Sequence, residues 1–217
     1  MICAGITSQE AKQAFLSDGV IVLRRAVTWQ WVARIRDALE ADIRNPGPYV
    51  HSYTPGNGHG RFHGNLRTWE SDIELRQFCC ESNLPELAAT LLQTKQVNLL
   101  YDQLYIKEPG TPNPTRWHND QPYWAVRGWQ VMAFWVALDP VTLSSGGWDL
   151  DAGDVYAFHA LTVHSDRGKM SNTVRRRCYA VRYTGDDARY DARQGTNLHL
   201  RSDGHRDGQR LDSDRFP

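Results

Sequence analysis

The densest group of side chains able to hold a metal is Trp117-His118-Asn119-Asp120. Residues i and i+2 of an extended strand point to one face. An imidazole from His118 and a carboxylate from Asp120 can therefore reach one ion. A third ligand must come from a distant part of the chain. The candidate is His164, 46 residues after His118 and directly after the apolar run Ala160-Leu161-Thr162-Val163. Two imidazoles and one carboxylate on one side of an iron leave positions open for oxygen and a second small ligand. A His-x-Asp triplet alone is a weak signal, because strand ends carry such pairs without any metal. Gln121, Tyr123 and Trp124, just after the triplet, either line a pocket around the ion or simply pack.

These residues need a frame to position them. The chain has 217 residues, 41% of them hydrophobic and 23% charged, enough for one domain with a core. Lys plus Arg and Asp plus Glu both total 25, a balance that argues against a general nucleic-acid binder. No apolar run approaches membrane-spanning length. No charged start precedes a long apolar stretch, so no signal peptide is expected. Cys3, Cys79, Cys80 and Cys178 form no Cys-x-x-Cys pair. That points away from a disulfide framework or a zinc–thiolate site and towards a reducing cytoplasm.

The first part of the chain reads as mostly helical. Thr7-Ser8-Gln9-Glu10 is a capping box for a short helix closing before Gly19, and Val20–Leu23 reads as a buried strand. Thr28 can cap a helix running to about Asn45, with Val32, Ile35, Leu39 and Ile43 on one face. Residues 46–66, rich in Gly, Pro, His and Asn, read as a long loop in which His51, His59 and His63 are solvent-exposed. Two further helices are predicted near 71–80 and 84–93. Then the character changes: 97–106, 129–138, 155–158 and 175–184 are rich in Val, Tyr, Trp and Phe and read as strands. From Gly185 the polar tail reads as loosely draped or disordered. Helices first and short strands after predict an α+β domain whose β part is a sandwich or barrel.

The stretch from Val97 to Tyr190 resembles the phytanoyl-CoA dioxygenase family of iron(II)/2-oxoglutarate oxygenases. The matching segments are 101–110 (Tyr-Asp-Gln-Leu-Tyr-Ile-Lys-Glu-Pro-Gly), 117–124 (Trp-His-Asn-Asp-Gln-Pro-Tyr-Trp), 134–141 (Phe-Trp-Val-Ala-Leu-Asp-Pro-Val), 148–154 (Trp-Asp-Leu-Asp-Ala-Gly-Asp) and 158–164, continued through Arg175-Arg176. Gly19-Val20-Ile21-Val22-Leu23 suits the family's opening. The resemblance implies a double-stranded β-helix, a jelly-roll barrel flanked by helices. It divides a single domain into a helical flank (1–95), a jelly-roll core (96–184) and a tail (185–217).

By the same resemblance, His118, Asp120 and His164 map onto the iron ligands. Arg175 falls at the family's clamp for the distal carboxylate of 2-oxoglutarate, with Arg177 as runner-up on the same strand face. Trp135, Leu100 and Lys107 map near that co-substrate. His159 matches a histidine that is not a ligand. One departure stands out: the segment usually found between the Asp-Pro-Val stretch and the Trp-Asp-Leu strand is missing, an apparent deletion between Gly146 and Trp148. The implied function is a dioxygenase that hydroxylates or otherwise oxidises a small organic molecule with O2, converting 2-oxoglutarate to succinate and CO2. The alternative is a catalytically impaired jelly-roll protein that only binds a metal or ligand. A zinc hydrolase using the same triad is a third reading. Neither nucleic acid nor membrane is expected as a partner.

Overall fold

The computed structural model describes residues 9–53, 60–111, 114–142, 149–166 and 173–217. The first helix, α1 (Gln9–Asp18), ends where Gly19 adopts φ +71° and donates its N–H to the Phe15 carbonyl at 2.9 Å. That left-handed position closes a helix most cheaply when it carries no Cβ. Thr7 and Ser8 of the capping box lie outside the described residues. After β1 (Val20–Leu23), Thr28 caps α2 (Trp29–Arg44) by accepting from the Trp31 N–H. Val32, Ile35 and Leu39 are fully buried on its predicted face. Asp72 caps α3 (Ile73–Glu81), and α4 (Leu84–Leu92) follows.

A seven-stranded antiparallel sheet receives these helices. Its order is β1-β8-β7-β10-β4-β3-β2. The strands are β2 (His51–Tyr53), β3 (Phe62–Leu66), β4 (Asn98–Lys107), β7 (Val131–Ala137), β8 (Val155–His159) and β10 (Arg176–Thr184), besides β1. The helices cover one face, where Leu104, Ile106, Val136, Tyr179, Val181 and Tyr183 join the α2, α3 and α4 side chains in the main core. The other face is the inside of the jelly roll. There β5 (Thr115–His118) pairs with β9 (His164–Asp166) in a two-stranded ribbon, and β6 (Val126–Arg127) pairs with β11 (Arg189–Tyr190). The fold is α+β, as the sequence predicts.

Two expectations are corrected. Residues 46–66 are not one long loop: β2 and β3 form a hairpin that extends the sheet beyond β4. His63 is 1% exposed, not solvated, because its Nε2 meets Asp42 of α2 at 2.7 Å while Asn65 Nδ2 donates to the other Asp42 oxygen at 2.7 Å. His51 is half-buried, and His59 lies outside the described residues. The tail is neither draped nor disordered. Leu200, Leu211 and Phe216 are buried with Tyr101, Trp124 and Val126 in a second core, and the Asn98 side chain donates to the Phe216 carbonyl at 3.0 Å. Three apolar residues in a polar tail suffice when all three find one hydrophobic patch. The apparent deletion near Gly146 falls on residues outside those described; beside it, Val141 and Leu150 bridge antiparallel.

Candidate metal centre

The ribbon brings His118 and His164 into register as direct cross-strand partners. Asp120 reaches them by a different route from the one strand alternation predicts. The strand ends at His118, and Asp120 turns into a helical conformation (φ −83°, ψ −37°) before a 3-10 turn at Gln121–Tyr123. The N–H groups of Asp120 and Gln121 both donate to the Ala160 carbonyl, at 3.0 and 3.1 Å, which pins the turn against the chain leading into β9.

The donor atoms converge. Asp120 Oδ1 lies 3.3 Å from His118 Nε2 and 3.8 Å from His164 Nε2, and all three ligand atoms lie within 4.8 Å of one another. Ligands about 2.1 Å from one ion, at right angles to each other, stand roughly 3 Å apart, so a small contraction closes this set around a metal. The second ring nitrogens are already committed. His118 Nδ1 lies 2.8 Å from the Arg116 carbonyl and His164 Nδ1 lies 2.9 Å from the Thr162 carbonyl. A carbonyl only accepts, so each Nδ1 carries a proton, and Nε2 is the nitrogen each ring turns to the centre, where a metal can take it.

The electrostatics favour a charged carboxylate here. Burial works against the ionised Asp120, but its bond to His118 and the charges of Arg182 and His164 outweigh that, and the carboxyl sits below its ordinary range. The bond to Asp120 in turn raises the His118 pKa. A metal must displace any proton held there.

The other sequence-predicted residues divide by strand face. Arg175 and Arg177 turn towards α2. Arg175 donates to Glu40 at 2.5 Å and to Glu108 at 2.6 and 2.8 Å. Arg177 forks onto Asp139 at 2.7 and 2.9 Å and also meets Glu40 at 3.1 Å. Neither is brought to the metal centre. Their acidic partners on the helix side decide the face, and alternation then sends Arg176, Cys178, Ala180 and Arg182 inside the barrel. Arg176 is 7% exposed and pairs in register with Lys107, itself buried with its ammonium 5.6 Å from the Phe62 ring. Trp135 is on the inner face of β7, opposite Ala180 and 5.8 Å from Tyr156. Leu100 is buried in the second core, beside the irregularity where β10 shifts register between Arg182 and Tyr183.

Tyr123 flanks the metal centre, its ring 6.2 Å from that of His118. Gln121 donates to the Gly128 carbonyl at 2.8 Å, while its Oε1 is buried with no partner among the described residues. Trp124 is buried behind Tyr101 in the second core and packs. His159 is occupied with backbone: Nε2 stands 2.5 Å from the Trp129 carbonyl and Nδ1 accepts from Leu161. Arg176 and Arg182, which the sequence reading did not select, share the inner face. A single step of strand parity separates Arg176 from the residues chosen, and parity fixes which residues share a face without saying which face is inside.

A model of the phytanoyl-CoA dioxygenase family (PhyH) matches residues 15–150. Among solved structures, the chain is similar to the non-heme alpha ketoglutarate dependent carbocyclase SnoK from nogalamycin biosynthesis, at 21% identity and TM-score 0.83, over 97% of this chain and 95% of that one. It is similar to the epimerase SnoN in complex with Fe3+, alpha ketoglutarate and nogalamycin RO, at 19% identity and TM-score 0.75, over 96% and 97%. EctD from S. alaskensis with bound Fe also resembles it, at 18% identity and TM-score 0.69, over 84% and 78%. No curated protein sequence matches the chain.

Proposed function

We propose a reaction for this chain, which belongs to the phytanoyl-CoA dioxygenase family: iron(II)- and 2-oxoglutarate-dependent hydroxylation, or a related C–H oxidation, of a small organic molecule. The observation that carries it is the convergence of His118, Asp120 and His164. Two imidazoles and one carboxylate on one side of an ion are the donor set of the non-haem iron oxygenases. His118, Asp120 and His164 would hold the iron, which with 2-oxoglutarate bound would supply an oxidant made from O2 at the expense of the 2-oxo acid, converted to succinate and CO2.

The protein's own residues do the rest. The Nδ1 bonds to Arg116 and Thr162 hold both imidazoles in the ligating tautomer. Arg176 is the inward arginine nearest the start of β10, and we assign the distal carboxylate of 2-oxoglutarate to it in place of Arg175. A planar guanidinium binds a carboxylate through two parallel bonds. Lys107 adds a second positive charge across the strand pair, and Trp135 walls the inner face. Tyr123, 54% exposed beside His118, is placed to meet an incoming substrate.

SnoK is a carbocyclase and SnoN an epimerase. Likeness to both supports keeping C–H oxidations other than hydroxylation within the proposal. Succinate release, measured with iron and O2 against a library of small metabolites, tests the reading. One substrate should raise succinate well above the uncoupled background. A protein that binds iron and 2-oxoglutarate but releases no succinate with any candidate would favour the binding-only alternative.

A further inference from the structure

Arg182 is a buried charge with no ion-pair partner among the described residues. It is 4% exposed, and no carboxylate of the described residues lies within 4.0 Å of it. Its Nη1 donates to the Ala180 carbonyl of its own strand at 3.2 Å, so the side chain folds back along β10 towards Arg176. Its Nη2 makes one long bond, 3.4 Å, to the Tyr105 hydroxyl. Its Nε is buried with no partner among the described residues. The guanidinium lies against the Tyr101 ring at 4.5 Å and the Trp124 ring at 5.8 Å, which fix its plane.

Nε and Nη2 form the edge that arginine uses to grip a carboxylate side-on. On that edge Nε is unpaired among the described residues and Nη2 holds only the long Tyr105 bond, whereas Nη1 is tied to backbone. A buried donor left unpaired is costly, and burying a cation without an adjacent anion costs more. Arg182 pairs in register with Tyr101 and Ala133, which share the second core with Ala160, and the Ala160 carbonyl accepts the Asp120 N–H at 3.0 Å, so Arg182 lies on the side of the sheet that faces the metal centre. Asp120 itself is turned to His118 and His164. Arg176 and Lys107 pair in register on the same inner face as Arg182.

We propose that Arg182 binds the 2-oxo acid end of the co-substrate, beside the metal, while Arg176 holds the distal carboxylate. The inference rests on the reading of this chain as a 2-oxoglutarate-dependent enzyme. It separates two tasks along one strand: Arg176 recognises chain length, and Arg182 recognises the carboxylate every 2-oxo acid has.

The test measures binding, not turnover, on the full chain saturated with Mn(II). Affinities of 2-oxoglutarate and of 2-oxobutyrate, which lacks the distal carboxylate, are taken for the wild type, Arg182→Lys and Arg176→Lys, with Mn(II) affinity and thermal unfolding measured alongside. Arg182→Lys should weaken both acids about tenfold or more. Arg176→Lys should weaken 2-oxoglutarate and leave 2-oxobutyrate unchanged. Were Arg182 merely balancing Asp120, Mn(II) affinity would move and acid affinity at saturating metal would not. That result, or a loss confined to 2-oxoglutarate, would overturn the proposal. If the variants do not fold, isotope-labelled arginine in the zinc-loaded wild type decides it. The ring-shifted Arg182 Nε–H resonance should move downfield and exchange more slowly when 2-oxobutyrate is added, and an unmoved resonance at saturation would overturn the proposal. A wild type that binds no 2-oxo acid with metal present would instead sink the co-substrate reading itself.

Discussion

Arg176→Lys keeps a positive charge on the inner face of β10 and removes the planar fork. Arg176 is 7% exposed, so solvent screens its interactions little. A hydrogen bond to a charged group is worth about 1.5–3 kcal/mol. Losing one of two parallel bonds should therefore raise the dissociation constant for 2-oxoglutarate about 10- to 150-fold, with metal affinity retained. Arg175→Lys should behave differently. Its partners Glu40 and Glu108 are about one-third exposed, as is Arg175 itself. Such pairs contribute about 0.2–1 kcal/mol each, and a chain of this size loses about 2–4 °C in melting temperature per kcal/mol. Arg175→Lys should thus melt a few degrees lower at most and bind 2-oxoglutarate as the wild type does. Tryptophan-fluorescence titration of the Mn(II)-saturated proteins reads the affinities, and a thermal melt reads stability. If Arg175→Lys loses co-substrate affinity while Arg176→Lys keeps it, the assignment from strand face is refuted.

Three further outcomes follow from the packing. Asp154 is 2% exposed and accepts from Arg24 Nη1 and the Arg25 N–H at 2.7 Å and from the Asp151 N–H at 3.0 Å. Burial opposes its charge, but these bonds outweigh it and hold the carboxyl below its ordinary value. Asp154→Asn should cost about 1.5–3 kcal/mol near neutral pH. The gap from wild type should be full above about pH 4 and close as pH falls through the lowered folded-state value; denaturant unfolding across that range checks it, and a constant gap would contradict it. Phe216→Ala should cost about 3–5 kcal/mol, since the ring is 1% exposed in the second core; an unchanged melting temperature would mean that the tail is loose after all. Tyr179→Phe removes the 2.6 Å hydroxyl bond to the fully buried Asp102. It should destabilise by about 1.5–3 kcal/mol in a denaturant titration, leaving Asp102 to Thr68 and the Trp69 N–H.

Much of the frame was legible because its signals are local. The 3.6-residue spacing of Val32, Ile35 and Leu39 and the β-branched, aromatic runs from Val97 onwards depend on neighbours in sequence. The hairpin at β2 and β3 was not legible: Phe-His-Gly-Asn-Leu at 62–66 has a turn-like composition, and what buries its His and Asn is Asp42, more than 20 residues away on α2. The tail misled for the same reason, since Leu200, Leu211 and Phe216 matter only once β4 and Trp124 offer them a surface. The triad residues were legible from their types and the family's order. The bend that delivers Asp120 was not, because the Ala160 carbonyl that fixes it lies 40 residues on. The arginine run carried its alternation openly. Which face is inside was set by Glu40 and Asp139, contacts that no spacing within the run encodes.

The central claim is that His118, Asp120 and His164 hold an iron that 2-oxoglutarate then chelates. Anaerobic titration of the protein with Fe(II), without and then with 2-oxoglutarate, tests it most directly. A weak visible charge-transfer band should appear that needs both components, saturates at a single equivalent of iron, and disappears in His118→Ala and in His164→Ala. No band and no iron retained by the wild type, or a band of unchanged strength in both variants, would contradict it.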